Sequence, residues 1–145
     1  MNKFGFRIIE QIDIGRSILG YQRDAISYEA SQCFNNAFRF LGNNITNKTC
    51  KAVFGYVLST DGIRKVAVRH AWNLEDNYIV DVTMIANSEH PISMLNYYYL
   101  PIEIYDAQTF LRKIEENNNF PCLPKTKKEL DYIQKLKNKG FEVLE

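Results

Sequence analysis

Three residues whose types could carry out nucleophilic chemistry follow one another in the middle of the sequence. Cys33 lies in SQCFNNAFRFLG, His70 in KVAVRHAWN and Asp81 in YIVDVT. A thiol is a useful nucleophile near neutral pH only when a base takes its proton or when the local field lowers its pKa from about 8.5. A histidine can act as that base, and a carboxylate on its other ring nitrogen fixes its tautomer and orientation. We therefore predict that Cys33 is a nucleophile, His70 its base and Asp81 the residue that orients His70.

The segment around Cys33 predicts a helix. Four apolar residues follow the spacing of a buried helical stripe: Phe34, Ala37, Phe38 and Leu41. Ser31 is the predicted N-cap, and Gly42 is predicted to end the helix. Cys33 then lies in the first turn, where unpaired backbone N–H groups and the helix dipole stabilise a thiolate.

The segments that carry His70 and Asp81 predict neighbouring antiparallel strands. We expect three strands, near residues 51–59, 63–73 and 78–84, joined by the turns TDG and LEDN. If the second turn centres on Glu75–Asp76, His70 lies directly opposite Asp81; if it centres on Asp76–Asn77, the two are diagonal neighbours on one face. Either register lets the imidazole and the carboxylate meet.

An acyl-transfer site also needs donors for the oxyanion of the tetrahedral intermediate. The backbone N–H of Cys33 is one candidate donor, of a class worth on the order of 10² to 10³ in rate. For the second donor, Gln22 is the first choice and Gln32 or Asn35 are the alternatives. Trp72, on the predicted face of His70, is a further candidate for a substrate contact.

Each of the three residues also has a purely structural explanation. Cysteine is a common buried small hydrophobe, and His70 could be a hydrogen-bonded core residue. Asp81 is harder to explain in this way, because a charge flanked by Ile79, Val80 and Val82 is costly to bury without a partner. The order of the three residues along the predicted helix and strands favours the catalytic interpretation.

The rest of the chain predicts further elements around this centre. Residues 1–30 have only a weak pattern, and a short strand interrupted by Pro101 is expected in YLPIEIYD. A helix behind Asp106 is predicted to bury Phe110, Leu111 and Ile114, and another opens with the capping box Thr126 to Glu129. That second helix is predicted to bury Leu130, Ile133 and Leu136 and to keep its charges in solvent, while FEVLE is a final strand or a tail.

Composition indicates one domain, residues 1–145, with 46% hydrophobic residues and a net charge of +1. This balance gives no electrostatic footprint for nucleic acid. The N-terminus lacks the apolar run of a signal peptide or a membrane span, so we expect a cytoplasmic protein with no membrane partner, although delivery into another cell stays open. Three cysteines at unrelated spacings favour reduced thiols over a disulfide framework. No cysteine or histidine pair has zinc-site spacing, and His90 is more simply an exposed histidine, so neither a metal nor another cofactor is expected.

The motifs CFNNAFRFL, VFGYV, HAWN and IVDVT together resemble the core of transglutaminase-like proteins within the papain-like cysteine fold. The resemblance covers about a third of the chain, and the order of the motifs is more specific than any one of them. It implies that Cys33 is the nucleophile, His70 the general base and Asp81 the orienting acid, with Trp72 and Gly55 as structural supports.

The expected fold is therefore α+β, with the cysteine-bearing helix packed on an antiparallel sheet in a papain-like, transglutaminase-like core. The expected function is acyl transfer through a thioester, acting on a peptide or a glutamine side-chain amide as a protease, a deamidase or a transglutaminase. Two other interpretations stay open: a catalytically silent binding protein of the same fold that modulates a partner protein, and an acetyltransferase that uses a small acyl donor. The sequence predicts a protein or peptide substrate and leaves the oligomeric state open.

Overall fold

A computed structural model describes residues 32–43, 48–60, 62–76, 78–81, 83 and 98–144 of the chain. The elements run in the order α1 (Cys33–Asn43), β1 (Lys51–Thr60), β2 (Lys65–Glu75), β3 (Tyr78–Val80), β4 (Tyr98–Asp106), α2 (Ala107–Glu116), α3 (Lys127–Asn138) and β5 (Phe141–Leu144). The predictions for residues 1–30, Gln22 among them, for the N-cap Ser31 and for His90 lie outside the described residues.

The described strands form one sheet in the order β3-β2-β1-β4, and β5 pairs with β2. Strands β1 to β3 are antiparallel to their neighbours, as predicted. β4 pairs antiparallel with β1 and runs through Pro101, where an interruption was predicted, whereas β5 runs parallel to β2. FEVL is thus a strand, and its pairing with residues 65–68 adds a fifth strand to the sheet. The fold class is α+β.

Alternation along β1 and β2 assigns the side chains to the two faces of the sheet. One face carries Phe54 and Ala71, which pack in one core cluster with Phe40 and Leu41 of α1 and with residues of α2. The same face of β1 continues into a second cluster, where Tyr56 and Leu58 pack with Leu136 of α3 and Phe141. All three helices therefore cover one face, and His70 belongs to the opposite face because it pairs with Gly55.

Both predicted helices after β4 are present, with the predicted caps. Asp106 accepts a hydrogen bond from the backbone N–H of Thr109 at 2.7 Å. Thr126 accepts one from the N–H of Glu129 at 3.1 Å, which is the predicted capping interaction of α3. Phe110 and Ile114 are buried as expected, whereas Leu111 is only partly buried.

Two predictions about these elements are wrong. The third strand does not reach residue 84: pairing with β2 ends at Val80, so Asp81 lies directly after the strand. In α3, Leu130 is 54% exposed and Glu129 is buried, so the face of the helix that packs on the sheet is rotated from the apolar stripe. The rotation follows from the pairing of Glu129 with a buried cation on β2, described below.

Candidate functional site

His70 and Asp81 form a buried pair. The Nε2 atom of His70 lies 2.7 Å from Oδ2 of Asp81, and the two residues are 7% and 1% exposed. Tyr99 of β4 donates its hydroxyl to the same Oδ2 atom at 2.8 Å. The carboxylate is therefore held from two strands, and the contact orients the imidazole as the sequence predicts.

The β2–β3 register explains how the pair meets. Asn73 pairs with Val80 and Glu75 with Tyr78, which centres the turn on Asp76–Asn77. Of the two predicted registers, this is the one that makes His70 and Asp81 diagonal neighbours. β3 pairs with residues 73–75 of β2 and β5 with residues 65–68, so His70 lies in the stretch of β2 between these two partners.

Cys33 is the first residue of α1. The carbonyl oxygen of Gln32 accepts the first intrahelical hydrogen bond, from the N–H of Asn36 at 2.8 Å, which makes Gln32 the N-cap residue, one position after the predicted Ser31. Cys33 is partly exposed, and its side chain lies close enough to the His70 imidazole to act on the pKa of that ring. Because Nε2 of His70 faces Asp81, Nδ1 is the ring nitrogen available to the thiol. The structure thus brings all three predicted residues together.

The surroundings of His70 act on its pKa in opposite directions. Burial lowers the pKa of the imidazole, but the charge and hydrogen bond of Asp81, with a smaller contribution from Cys33, outweigh burial and raise the pKa to about 10. The pairing with Asp81 therefore favours the imidazolium form of the ring. A thiolate at Cys33 would face this cation as well as the N-terminal end of α1.

Trp72 and Gly55 lie behind the imidazole. The Trp72 indole stacks on His70 with ring centroids 6.0 Å apart and meets the Tyr99 ring edge to face at 5.0 Å. A Cβ atom on Gly55 would lie 2.0 Å from the carbonyl oxygen of Leu100 and 2.9 Å from Cη2 of Trp72. Only a residue without a side chain allows β4 and the indole to approach this closely. Trp72 is buried and packs against His70, a position that suits a structural support better than a substrate contact.

Two buried asparagines attach α1 to the strands. The Asn36 amide donates to Oγ1 of Thr83 at 2.8 Å, which links the helix to the chain just after Asp81. The Asn73 amide donates to the carbonyl oxygens of Ala37 and Lys51, at 3.0 and 3.2 Å. These contacts position the start of α1 relative to β2 and β3. Both asparagines lie within motifs of the sequence, Asn36 in CFNNAFRFL and Asn73 in HAWN. The sequence did not predict their roles, because the hydrogen bonds of an amide depend on partners that are distant in sequence.

The predicted oxyanion donors have different positions. The first-turn N–H groups of α1, including that of Cys33, have no acceptor within the helix, as at any helix start. The side chains of Gln32 and Asn35 are both exposed, and Nδ2 of Asn35 donates to Oε1 of Gln32 at 3.0 Å. Of the predicted candidates for the second oxyanion donor, Gln32 is thus the one closest in sequence to Cys33, through its side-chain amide nitrogen. Gln22 lies outside the described residues.

Arg69, next to His70 in β2, forms a buried ion pair that the sequence did not predict. Its Nε atom lies 2.5 Å from Oε1 of Glu129, and its Nη2 atom lies 3.2 Å from Oε2, a bidentate arrangement. Tyr56 donates its hydroxyl to Glu129 at 3.0 Å. On the other side, the Arg69 guanidinium lies 5.1 Å from the centre of the Phe34 ring. The ion pair therefore connects α3 and β2 to the residue that follows Cys33.

A pocket of about 200 Å³ opens beside Cys33. Its lining comes from the start of α1 and from the loop between α2 and α3: Gln32, Cys33, Phe34, Asn35, Phe120, Pro121 and Cys122. The other two cysteines differ from Cys33 in their surroundings. Cys50 is buried, and burial raises the pKa of its thiol to about 11, whereas Cys122 is exposed.

Within the described ranges, no group of three or more histidine, cysteine and acidic side chains could hold a metal ion. None of the helices described is long and apolar enough to span a membrane.

In comparisons with protein-family models, with curated proteins and with solved structures, nothing matches this chain. The resemblance to transglutaminase-like proteins consequently stays a prediction from the sequence motifs.

Proposed function

We propose that the protein is a cysteine-dependent acyl-transfer enzyme that forms a thioester at Cys33. The observation that carries the proposal is the position of His70, whose Nε2 atom lies 2.7 Å from Asp81 and whose imidazole has the Cys33 side chain as a neighbour in a largely buried site. Cys33 combines this neighbour with the first position of a helix and with partial exposure to solvent. A histidine or a cysteine with only a structural role in the core does not need this combination of neighbours, helix position and exposure.

The raised pKa of His70 favours a cycle that starts from a thiolate and an imidazolium. The thiolate attacks the carbonyl carbon of an amide, and the N–H groups at the start of α1 bind the resulting oxyanion. The imidazolium gives its proton to the departing nitrogen, which leaves as an amine or as ammonia and yields the thioester. His70 then takes a proton from water or from an acceptor amine, which attacks the thioester. Collapse of the second intermediate releases acid or a new amide and restores the thiolate and the imidazolium.

Within this proposal the acyl donor is a peptide bond or a glutamine carboxamide of a protein or peptide. Hydrolysis or deamidation is favoured over cross-linking, since water as the acceptor needs no binding surface for a second protein. The proposal extends to the fold: the order of a cysteine-bearing helix, a histidine strand and an aspartate after the next strand supports a papain-like, transglutaminase-like core.

Competitive alkylation tests the proposal. Iodoacetamide near neutral pH should modify Cys33 faster than Cys50 or Cys122, with each site followed by peptide mapping. His70→Ala should slow the reaction at Cys33, because it removes the cation beside the thiolate. The matched control is His90→Ala, which changes the only other histidine of the sequence. Equally slow modification at all three cysteines would contradict the enzyme hypothesis and favour a binding protein without catalytic activity.

Incubation with candidate proteins then separates the reactions. Mass spectrometry would detect cleavage for a protease, conversion of glutamine to glutamate for a deamidase, or an amide-linked adduct for a transglutaminase. Cys33→Ala should abolish any of these products.

A further inference from the structure

Among the described residues that line the pocket beside Cys33, the one side chain that carries a charge in the proposed function is the Cys33 thiolate itself. Two aromatic rings and a proline provide its apolar surface, and the polar atoms come from two carboxamides and two cysteine sulfurs. A carboxylate would be repelled by that thiolate and would gain no counter-ion from the described lining residues, whereas the rings and the proline favour an apolar group. The lining therefore selects for an uncharged group.

The volume limits the size of that group. About 200 Å³ is smaller than the roughly 300 to 1,000 Å³ of pockets that enclose whole drug-sized ligands. One amino-acid side chain matches this space better than a complete small-molecule acyl donor. Because Phe34 and Phe120 contribute flat rings from α1 and from the loop, an apolar or aromatic side chain gains the most from entering.

Arg69 holds the two sides of this pocket together. Its guanidinium packs on the Phe34 ring at 5.1 Å on the α1 side. On the loop side, Nη2 donates to the carbonyl oxygen of Leu123 at 3.0 Å, and Nη1 lies 3.6 Å from Sγ of Cys122. Glu129 pairs with the charge of Arg69, so this cation supports the pocket without attracting an anion into it.

The loop itself has a second anchor. Nδ2 of Asn117 donates to the carbonyl oxygens of Phe120 and Cys122, at 3.0 and 3.2 Å. The Phe120 side chain is nevertheless 67% exposed, so its ring is available to a ligand and contributes little to the core. An exposed aromatic residue on an anchored loop, beside a partly exposed thiol, is a preformed contact surface.

From this arrangement we infer that the pocket is a specificity site, which binds an uncharged apolar or aromatic side chain of the substrate next to the carbonyl that Cys33 attacks. The inference rests on the proposed function, since it takes Cys33 as the reacting atom. It assigns Phe120 a role in recognition and Arg69 a positioning role that keeps the Phe34 and Cys122 sides of the pocket in place.

Four alkylating probes that differ in one substituent test the inference without requiring a known substrate. They are iodoacetamide, its N-benzyl derivative, iodoacetyl-glycine with a carboxylate, and iodoacetyl-glycinamide with a neutral amide. The rate at Cys33 is measured by peptide mapping and divided by the rate of the same probe with a free thiol. The normalised rate of the N-benzyl probe should then exceed that of iodoacetamide by between about two- and tenfold, as expected for one aromatic contact. This rate should also saturate as the probe concentration rises. The carboxylate probe should be the slowest of the four.

Phe120→Ala should remove the preference for the N-benzyl probe, whereas Leu130→Ala should leave both this preference and the rate with iodoacetamide unchanged. Leu130→Ala is the matched control, because it also shortens an exposed apolar side chain, at 54% exposure, but on α3 outside the pocket. Equal normalised rates for all probes, a preference for the glycinamide probe, or a benzyl preference that survives Phe120→Ala would each overturn the inference.

Failure of the specificity site and failure of the proposed function give different results. A Cys33 that reacts with iodoacetamide no faster than Cys122, and that ignores His70→Ala, contradicts the function. The ratio of the normalised rates of two probes at the Cys33 sulfur atom measures the selectivity of the pocket, whether or not Cys33 is unusually reactive.

Discussion

The carboxylate of Asp81 lies 2.7 Å from the His70 imidazole although the two residues are not directly opposite each other in the sheet. Strand β3 ends at Val80, so the backbone of Asp81 has left the β2 ladder and its side chain reaches diagonally toward His70. Tyr99 approaches the same oxygen atom from β4. The contact is thus formed by three segments that are separated in the sequence, and each can be changed independently.

Asp81→Asn should lower the rate of alkylation at Cys33 at pH 7 by about 10- to 100-fold. The amide cannot supply the charge that keeps the imidazole protonated, and a hydrogen bond to a charged group is worth about 1.5–3 kcal/mol. Tyr99→Phe is the matched control, since it removes one hydrogen bond to Asp81 but leaves the negative charge, and it should have a smaller effect. An unchanged rate in Asp81→Asn would show that Asp81 does not act on the thiol through His70.

The stability of the protein should depend on pH through His70. The pKa of the imidazole is about 10 in the folded chain and about 6.5 when it is exposed, so the protonated form favours folding. Its contribution is complete below about pH 6.5 and is lost as the pH rises toward 10. Urea unfolding of the wild type and of His70→Gln, under reducing conditions, should therefore give a difference in free energy that is largest at pH 6 and shrinks steadily up to pH 10.

His90→Gln serves as the reference for this titration. It should leave the pH dependence of the wild type intact. A difference between the wild type and His70→Gln that grows with pH would contradict the raised pKa of His70.

The local part of this arrangement is predictable from the sequence. Alternation and turn residues indicate the β1–β2 hairpin and place His70 and Asp81 on neighbouring predicted strands, and the spacing of the apolar residues after Cys33 indicates the helix. The sequence could not choose between the two turn registers, because Glu75, Asp76 and Asn77 all suit a turn. The observed pairing of Asn73 with Val80 resolves this choice.

What the sequence could not predict depends on contacts between distant segments. The burial of Glu129 and the exposure of Leu130 follow from Arg69, which is 60 residues away along the chain. An apolar stripe describes which helix face prefers the core on average, but a bidentate ion pair at one position rotated α3 away from that stripe. Tyr99 is a similar case, because its hydrogen bond to Asp81 joins residues on different strands and has no local signal in the sequence.

Gly55→Ala should destabilise the fold by about 1–3 kcal/mol and should also slow alkylation at Cys33. The added methyl group would meet the carbonyl oxygen of Leu100 at 2.0 Å and the Trp72 ring at 2.9 Å, so the indole that stacks on His70 must move. Chemical unfolding and peptide mapping measure the two effects.

Gly42→Ala is the matched control for that substitution. Gly42 lies in α1, where an added methyl group would have no neighbouring side chain or strand within 4 Å, and alanine favours a helix over glycine by up to about 1 kcal/mol. The substitution should be neutral or stabilising. If both glycine variants behaved alike, the close approach of β4 and Trp72 at Gly55 would not be the constraint we describe.

Glu129→Gln should lower the free energy of unfolding by about 3–5 kcal/mol, because it leaves the buried Arg69 guanidinium without its counter-ion. Glu142→Gln breaks the ion pair with Arg64, whose side chains are 50% and 65% exposed, and should cost no more than about 1 kcal/mol. Replacing both buried partners, Arg69→Met with Glu129→Leu, should recover much of the loss while leaving the loop beside Cys33 without its Arg69 contacts. Urea unfolding of the wild type and these three variants tests this ranking, and equal small losses for the buried and exposed pairs would contradict it.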